Sequence, residues 1–345
     1  MGRRVLITGV DKFWGGKIAQ TLEQDPDFDV ILGMGTKEPQ VALERAEFVR
    51  SDQAYSILSR IVKATHVDTI IHTFVVTNTS GVSSRSLHET NVIGTMNLLA
   101  AAGQRGSMVR QVVVKSSSNV YGATENDPAW FREETPRSKP ARSRLERSLL
   151  DVEQLVKDFA EDNPATVVSM VRCANVLGSE ITTPISSNLA RTLAPVIVGF
   201  DPLMQFVHEQ DVVDCLLHLT RKRIPGLYNL AGDEKIPWSE VINICGARIV
   251  PIPAYGTMNV ASLLVRLGLI NFTPEMEPLL RYGRGIDTAR IKRTGFELQH
   301  TTAGTVRSFI KAVRLKKNIG NEPQSYIYEH DIEQFFRHSP AIVRN

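Results

Sequence analysis

Short apolar runs alternate with amphipathic stretches along most of this chain. The first run covers residues 4–8 and stops at Gly9; helical spacing follows through Ile18, Ala19 and Leu22. Residues 30–34, 48–53, 68–75, 112–114 and 167–172 repeat the strand-length apolar pattern, and 226–232 supplies one more. Helical periodicity lies between them, clearest at 88–102 and 142–159. Near-continuous apolar strands separated by helices are the pattern of a parallel sheet covered on both faces. The pattern predicts an α/β fold with a doubly wound parallel sheet. After Gly178 the chain leaves that sheet, and a smaller α/β domain is expected. The boundaries read as 1–176 plus 212–231 for the first domain and 177–211 plus 232–310 for the second. Residues 311–345 then form a polar tail with a short helix near 331–337. Residues 257–270 predict a very apolar helix, buried in the smaller domain or at a subunit contact.

Two loops at the predicted strand ends carry the candidate chemistry, because ligands of open α/β sheets bind beyond the carboxyl ends of the strands. At the first, Gly9 permits a tight turn and Gly15 lets the following helix pack closely on the strand. The start of that helix then suits a pyrophosphate; the alternative is a turn that holds no phosphate. At the second, 112–114 opens onto Ser116, Ser117 and Ser118, then Val120-Tyr121-Gly122. The next helix should carry the partners of those serines.

Composition narrows the classes. The 345 residues are 42% hydrophobic and 22% charged with a net charge of +3, an ordinary globular balance that by itself points to no nucleic acid. Cys173, Cys215 and Cys245 are widely spaced in apolar surroundings, with no CxxC pair and no Cys/His cluster. Reduced cysteines in a cytoplasm fit this usage, and no metal site is expected. The N-terminus leads directly into a strand with no signal-peptide pattern. No run reaches the ~18 apolar residues of a transmembrane helix.

The motifs carry a family resemblance. TGVDKFWG at 8–15 is similar to the TGxxGFxG opening of extended short-chain dehydrogenase/reductases, the NAD-dependent epimerase/dehydratase family. NVIGTMNLLAAA at 91–102 resembles that family's NVxGTxNLLxAA helix. CANVLG at 173–178, FVHEQDV at 206–212, GLYNLAG at 226–232 and IDTAR at 286–290 extend the likeness over about residues 3–310. The subgroup it resembles is UDP-glucose 4-epimerase-like. The resemblance implies a Rossmann sheet binding NAD or NADP, a nucleotide sugar or other anionic small molecule, and a homodimer or a heteromeric partner. It places Gly9, Lys12, Phe13, Trp14 and Gly15 around the pyrophosphate. Asp52 and Gln53 fall at the adenine, and Thr73, Phe74 and Ser116 along the cofactor. Asn91 supports the site, Asn175 and Gln205 lie on the substrate side, and His72 is structural.

Departures matter as much. Lys12 stands where the family has glycine, and either crowds the pyrophosphate or neutralises it. Gly35-Thr36 replaces the carboxylate expected for the adenosine ribose, so NAD and NADP are not distinguished. Gln205 replaces a phosphate-binding arginine. The family's chemistry uses a serine, a tyrosine and a lysine. The serine falls on Ser117. Glu153 sets the register of the next helix, which puts the lysine position on Leu149 and the tyrosine position on Leu145. Neither leucine moves a proton, and no tyrosine occurs between Tyr121 and Tyr228. General acid–base help is worth about 10²–10⁴ in rate. The preferred reading is therefore a catalytically impaired binding, regulatory or partner subunit. The alternative is an active NAD-dependent epimerase or dehydratase using Glu146, Arg144 or His208. A third reading, an interaction protein without cofactor, draws on Lys12, Gly35 and Phe74. Arg142 and Arg144, with Arg137, Lys139 and Arg147, crowd a helix start where cations oppose the macrodipole. They read as an anion site or as a solvated basic face paired with Glu133, Glu134 and Glu146.

Overall fold

The computed structural model describes residues 2–51, 53–77, 83–319 and 339–343. Its main sheet contains β1 (Arg3–Thr8), β2 (Phe28–Gly35), β3 (Glu47–Arg50), β4 (Thr69–His72), β5 (Gln111–Ser117) and β6 (Val167–Cys173), with Gly226–Leu230 at one edge. The order runs Gly226–Leu230, β6, β5, β4, β1, β2, β3, and every neighbouring pair is parallel. This is the doubly wound sheet that the apolar runs predict. Val112, Val113 and Val114 are buried because helices cover both faces of β5.

The helices on the first half are α1 (Phe13–Leu22), α2 (Tyr55–Thr65), α3 (Ser84–His88), α4 (Gly94–Gly103) and α5 (Arg144–Asp162). A π-helical turn, Glu89–Ile93, joins α3 to α4. The start of α5 is written locally: Ser143 Oγ accepts the Glu146 amide and the Glu146 carboxylate returns to the Ser143 amide, a capping box. Leu145, Leu149, Val152 and Val156 recur at three- and four-residue spacing and bury on the sheet.

A second core gathers Leu177, Phe206, Trp238, Leu279 and Phe309. Short strands surround it: Asn175–Leu177 pairs with Phe206–His208 and Leu193–Ile197 with Arg248–Ile252. Trp238 Nε1 donates to the Pro195 carbonyl at 3.0 Å. The apolar stretch after residue 256 does form a helix, Thr257–Arg266, but it is not buried as a whole. Ala261 faces inward, while Leu263 and Leu267 are 56% and 63% exposed. The helix Thr302–Ile319 runs across the expected start of the tail; the helix anticipated at 331–337 lies outside the described residues. Residues 339–343 pack back against the first half of the chain, where the Val343 amide donates to the Ala64 carbonyl of α2 at 2.8 Å. No helix among the described residues is long and apolar enough to cross a membrane.

Candidate functional site

The strand order reverses at β1, which pairs with β2 on one side and β4 on the other. A crevice therefore opens beyond Thr8. Gly9 turns the chain there at φ +77°, and a Cβ on it would come within 3.2 Å of Phe74 Cα. A Cβ on Gly15 would stand 2.5 Å from the Gly9 carbonyl, so only glycine lets α1 begin this close to the strand. Lys12 sits extended just before α1 with its side chain 56% exposed.

Asp11 answers one departure noted in the sequence. Its side chain is wholly buried beside β2, where Thr36 Oγ1 donates to Oδ2 at 3.1 Å and Lys12 Nζ lies 3.6 Å away. Oδ1 has no hydrogen-bond partner among the described residues. A Cβ on Gly35 would lie 2.6 Å from that oxygen. The glycine at the end of β2 thus leaves room for a carboxylate supplied from the turn. Sequence reasoning passed over Asp11, although an acid inside a glycine turn was the available signal.

Between the two cores lies a cavity of about 530 Å³. Lys12, Phe13 and Trp14 line one end, with Thr73 and Phe74 beside them; Ser116, Ser117 and Asn175 line it as well. Leu145 faces it from α5. Leu149 is fully buried. Other candidates stand elsewhere. Asp52 lies outside the described residues. Gln53 is buried, and its carbonyl accepts from Asn97 at 3.1 Å. Asn91 Oδ1 accepts the Val76 amide at 2.7 Å and its Nδ2 donates to the Val76 carbonyl at 3.0 Å, so it shapes a cavity wall without lining it. Gln205 braces Gly232 and Ile286. Arg142 and Arg144 do not line the cavity, nor do Glu146 and His208. Glu146 is taken up by the cap and by Arg137 Nη2 at 2.6 Å. His208 caps the helix Glu209–Lys222 and stacks on His300 with ring centres 3.9 Å apart.

A buried network fixes the serine strand against α5. Ser116 Oγ donates to Glu153 Oε1 at 2.7 Å, and Arg172 Nε donates to the same carboxylate at 3.0 Å. Arg172 also donates to the Tyr121 hydroxyl at 2.8 Å, and that hydroxyl donates to Asn229. Burial pushes the Tyr121 phenol above its ordinary range. Tyr121 is therefore committed to the fold.

The second residue that sequence reasoning missed is Lys115. It lies two positions before Ser117 on β5, hence on the same face of the strand. It is 2% exposed, lines the cavity, and holds Nζ 4.9 Å from the centre of the Trp14 ring. Burial lowers its pKa from the usual lysine range, opposed by the nearby Cys173. The Cys173 thiol is itself pushed up to about 11 by burial. A lysine directly after the apolar run 112–114 was the signal. Across the cavity, Glu275 Oε2 is buried with no partner among the described residues, while Glu180 pairs with Lys316 at 2.6 Å. No group of three His, Cys, Asp or Glu able to hold a metal occurs among the described residues.

Residues 5–231 match the model of the NAD dependent epimerase/dehydratase family. An uncharacterized protein of Mycobacterium tuberculosis (strain ATCC 25618 / H37Rv) is 32% identical over 305 residues, covering 86% of this chain and 81% of its own. A UDP-glucose 4-epimerase of Erwinia amylovora is 28% identical over 214 residues, 56% of this chain and 62% of its own. Among solved structures, a UDP-glucose 4-epimerase of Thermotoga maritima with UDP-glucose superposes with a TM-score of 0.70 at 16% identity, covering 91% of this chain and 99% of its own. A dTDP-glucose 4,6-dehydratase of Bacillus anthracis in complex with NAD gives 0.69 at 17% identity, covering 92% and 98%. The structures share the fold, and the family match spans the sheet and the glycine turn: this chain belongs to the NAD dependent epimerase/dehydratase family.

Proposed function

We propose that the chain binds a nicotinamide dinucleotide along the carboxyl edge of the sheet and a small hydroxyl-bearing ligand in the adjoining cavity, without the family's tyrosine–lysine relay. One observation carries this reading: the cavity opens onto the Lys12–Trp14 turn with Ser117 inside it and Leu145, the residue that the Glu153 register puts at the tyrosine position, on its wall. Residues 1–176 with 212–231 would carry the dinucleotide, and 177–211 with 232–310 the ligand. The turn from Gly9 to Gly15 suits the pyrophosphate, with the Lys12 ammonium as counter-charge. Asp11 Oδ1 lacks a donor, and an adenosine ribose hydroxyl would supply one. A bound dinucleotide would supply the hydride acceptor. Ser117 Oγ accepts the Asn119 amide at 3.2 Å, which leaves its own proton for a ligand oxygen. No arginine lines the cavity. A nucleotide sugar would meet Lys12 at its phosphates, and its hydroxyls would meet Glu275 and Thr273.

A binding or regulatory role follows from the two leucines. Lys115 favours the second reading, turnover through a proton carrier that the family does not use. The first test is dinucleotide content: denature the purified protein, identify released nucleotides by mass spectrometry, then titrate NAD+ and NADP+ calorimetrically. Bound NAD is expected. Asp11→Asn should weaken NAD+ binding about 10-fold, the scale of one hydrogen bond to a charged acceptor. A protein that is empty and binds neither dinucleotide would overturn the proposal.

A further inference from the structure

We propose that Lys115 is the proton-transfer group of this cavity, exchanging a proton between its Nζ and an oxygen of a hydroxyl- or carbonyl-bearing ligand that Ser117 holds. This inference rests on the dinucleotide-binding reading above.

Position comes first. Lys115 and Ser117 stand on one face of β5 at the carboxyl edge of the sheet, and both line the cavity. Ser116 lines it too but commits its proton to Glu153, so the Ser117 hydroxyl and the Lys115 amine are the proton-bearing groups that this strand leaves for a ligand oxygen. Leu145, opposite, brings only hydrocarbon.

Environment comes second. A buried lysine is costly unless its charge is paired or discarded. No carboxylate pairs with Lys115 among the described residues. Its neighbours are the Trp14 ring from α1 and the Cys173 thiol from β6, which pairs in register with Ser117. The remaining charged groups on the cavity wall are Lys12, Glu180 and Glu275, and Glu180 is engaged by Lys316. Desolvation favours the neutral amine and draws the lysine down from its usual range. An amine in that state takes a proton from a hydroxyl, and the resulting ammonium returns it to a carbonyl oxygen.

The step balances. In the oxidative direction the ligand O–H bond breaks and an N–H bond forms at Lys115. The C–H pair leaves as hydride to the nicotinamide ring, and the C=O bond forms; the reverse restores each. One amine thus replaces two residues of the family's relay, because burial does the tuning that a second cation does elsewhere.

The test reads Lys115 directly. The full chain is acetylated competitively with acetic anhydride between about pH 6 and pH 11, with and without saturating NAD+, and each lysine is quantified by mass spectrometry. The exposed Lys63 and Lys157 are internal references. Lys115 is expected to become reactive at lower pH than the references, and NAD+ to suppress its labelling at least 10-fold while sparing theirs. In parallel, NAD+ affinity of the wild type should tighten several-fold as pH rises through the Lys115 midpoint, because an ammonium repels the cationic ring. Lys115→Met should fold with an equal or higher unfolding midpoint, bind NAD+ and show no such pH dependence. Three results would each overturn the proposal: Lys115 titrating with the references, labelling indifferent to bound NAD+, or a pH dependence that survives in Lys115→Met. If NAD+ binds neither protein, the dinucleotide reading falls and this inference with it. If NAD+ binds and Lys115 behaves as an ordinary lysine, only this inference falls.

Discussion

His72 shows how burial sets chemistry residue by residue. Its Nδ1 lies 2.7 Å from Thr8 Oγ1 and its Nε2 3.0 Å from Thr95 Oγ1, inside the sheet. Burial lowers its pKa to about 4. The folded chain thus refuses a proton that the unfolded chain accepts below about pH 6.5. Stability should be retained above that pH and fall as pH drops towards 4, by up to about 1.4 kcal/mol per pH unit. Urea unfolding at pH 7 and pH 4.5 would measure the loss, and His72→Gln should show a smaller difference by ~3 kcal/mol or less. A variant with an undiminished difference would place the titration elsewhere. Lys115 follows the same physics in the opposite role: His72 has hydroxyl partners on both ring nitrogens, whereas Lys115 lines the cavity.

At the scale of elements, the site is shaped by pieces that do not touch its ligand space. The π-helical turn Glu89–Ile93 aims Asn91 at the Val76 backbone, with Ser148 of α5 receiving a third hydrogen bond at 3.2 Å. A wider helical turn of this kind re-aims one side chain without breaking the helix. Asn91→Ala leaves the Val76 amide without its acceptor, and amide exchange at Val76 should accelerate about 10-fold while β5 stays protected. Unchanged exchange at Val76 would mean that the wall from Val75 to Thr77 is held by packing instead. The Glu153 register behaves similarly. Its contacts to Ser116 and Arg172 hold α5 against β5 and β6, and so keep Leu145 at the cavity.

For the whole molecule, the arrangement of two cores about one cavity is the main consequence. Trp14 and Leu145 from the first core, and Ile185 and Met276 from the second, share the cavity lining. A ligand bound there should stabilise the folded state by mass action, about 2.7 kcal/mol at 100 times its Kd. Calorimetric unfolding with saturating NAD+ should show the rise, and an unshifted midpoint with proven binding would mean that unfolding does not empty the site. The outward leucines of Thr257–Arg266 are separate from this cavity and belong to the surface.

The sequence by itself determined the parallel sheet, because buried strands must read as unbroken apolar runs, and it determined the turn at Gly9, because only glycine fits there. It also put leucines, Leu145 and Leu149, on α5 where the register from Glu153 expects a tyrosine and a lysine. Tertiary structure alone decided which charges meet. Asp11 reaches the end of β2 only through the space left at Gly35, across a parallel pairing between segments distant in sequence. Arg142, Arg144, Glu146 and His208 share a sequence neighbourhood with the site motifs, yet the fold turns them away. Lys115 is legible as a lysine in a strand. That it loses its hydration and keeps no carboxylate depends on Trp14 and Cys173, which arrive from other elements. Pattern reports which face of an element is apolar; it does not report what stands across from a single polar atom, and proton chemistry depends on that.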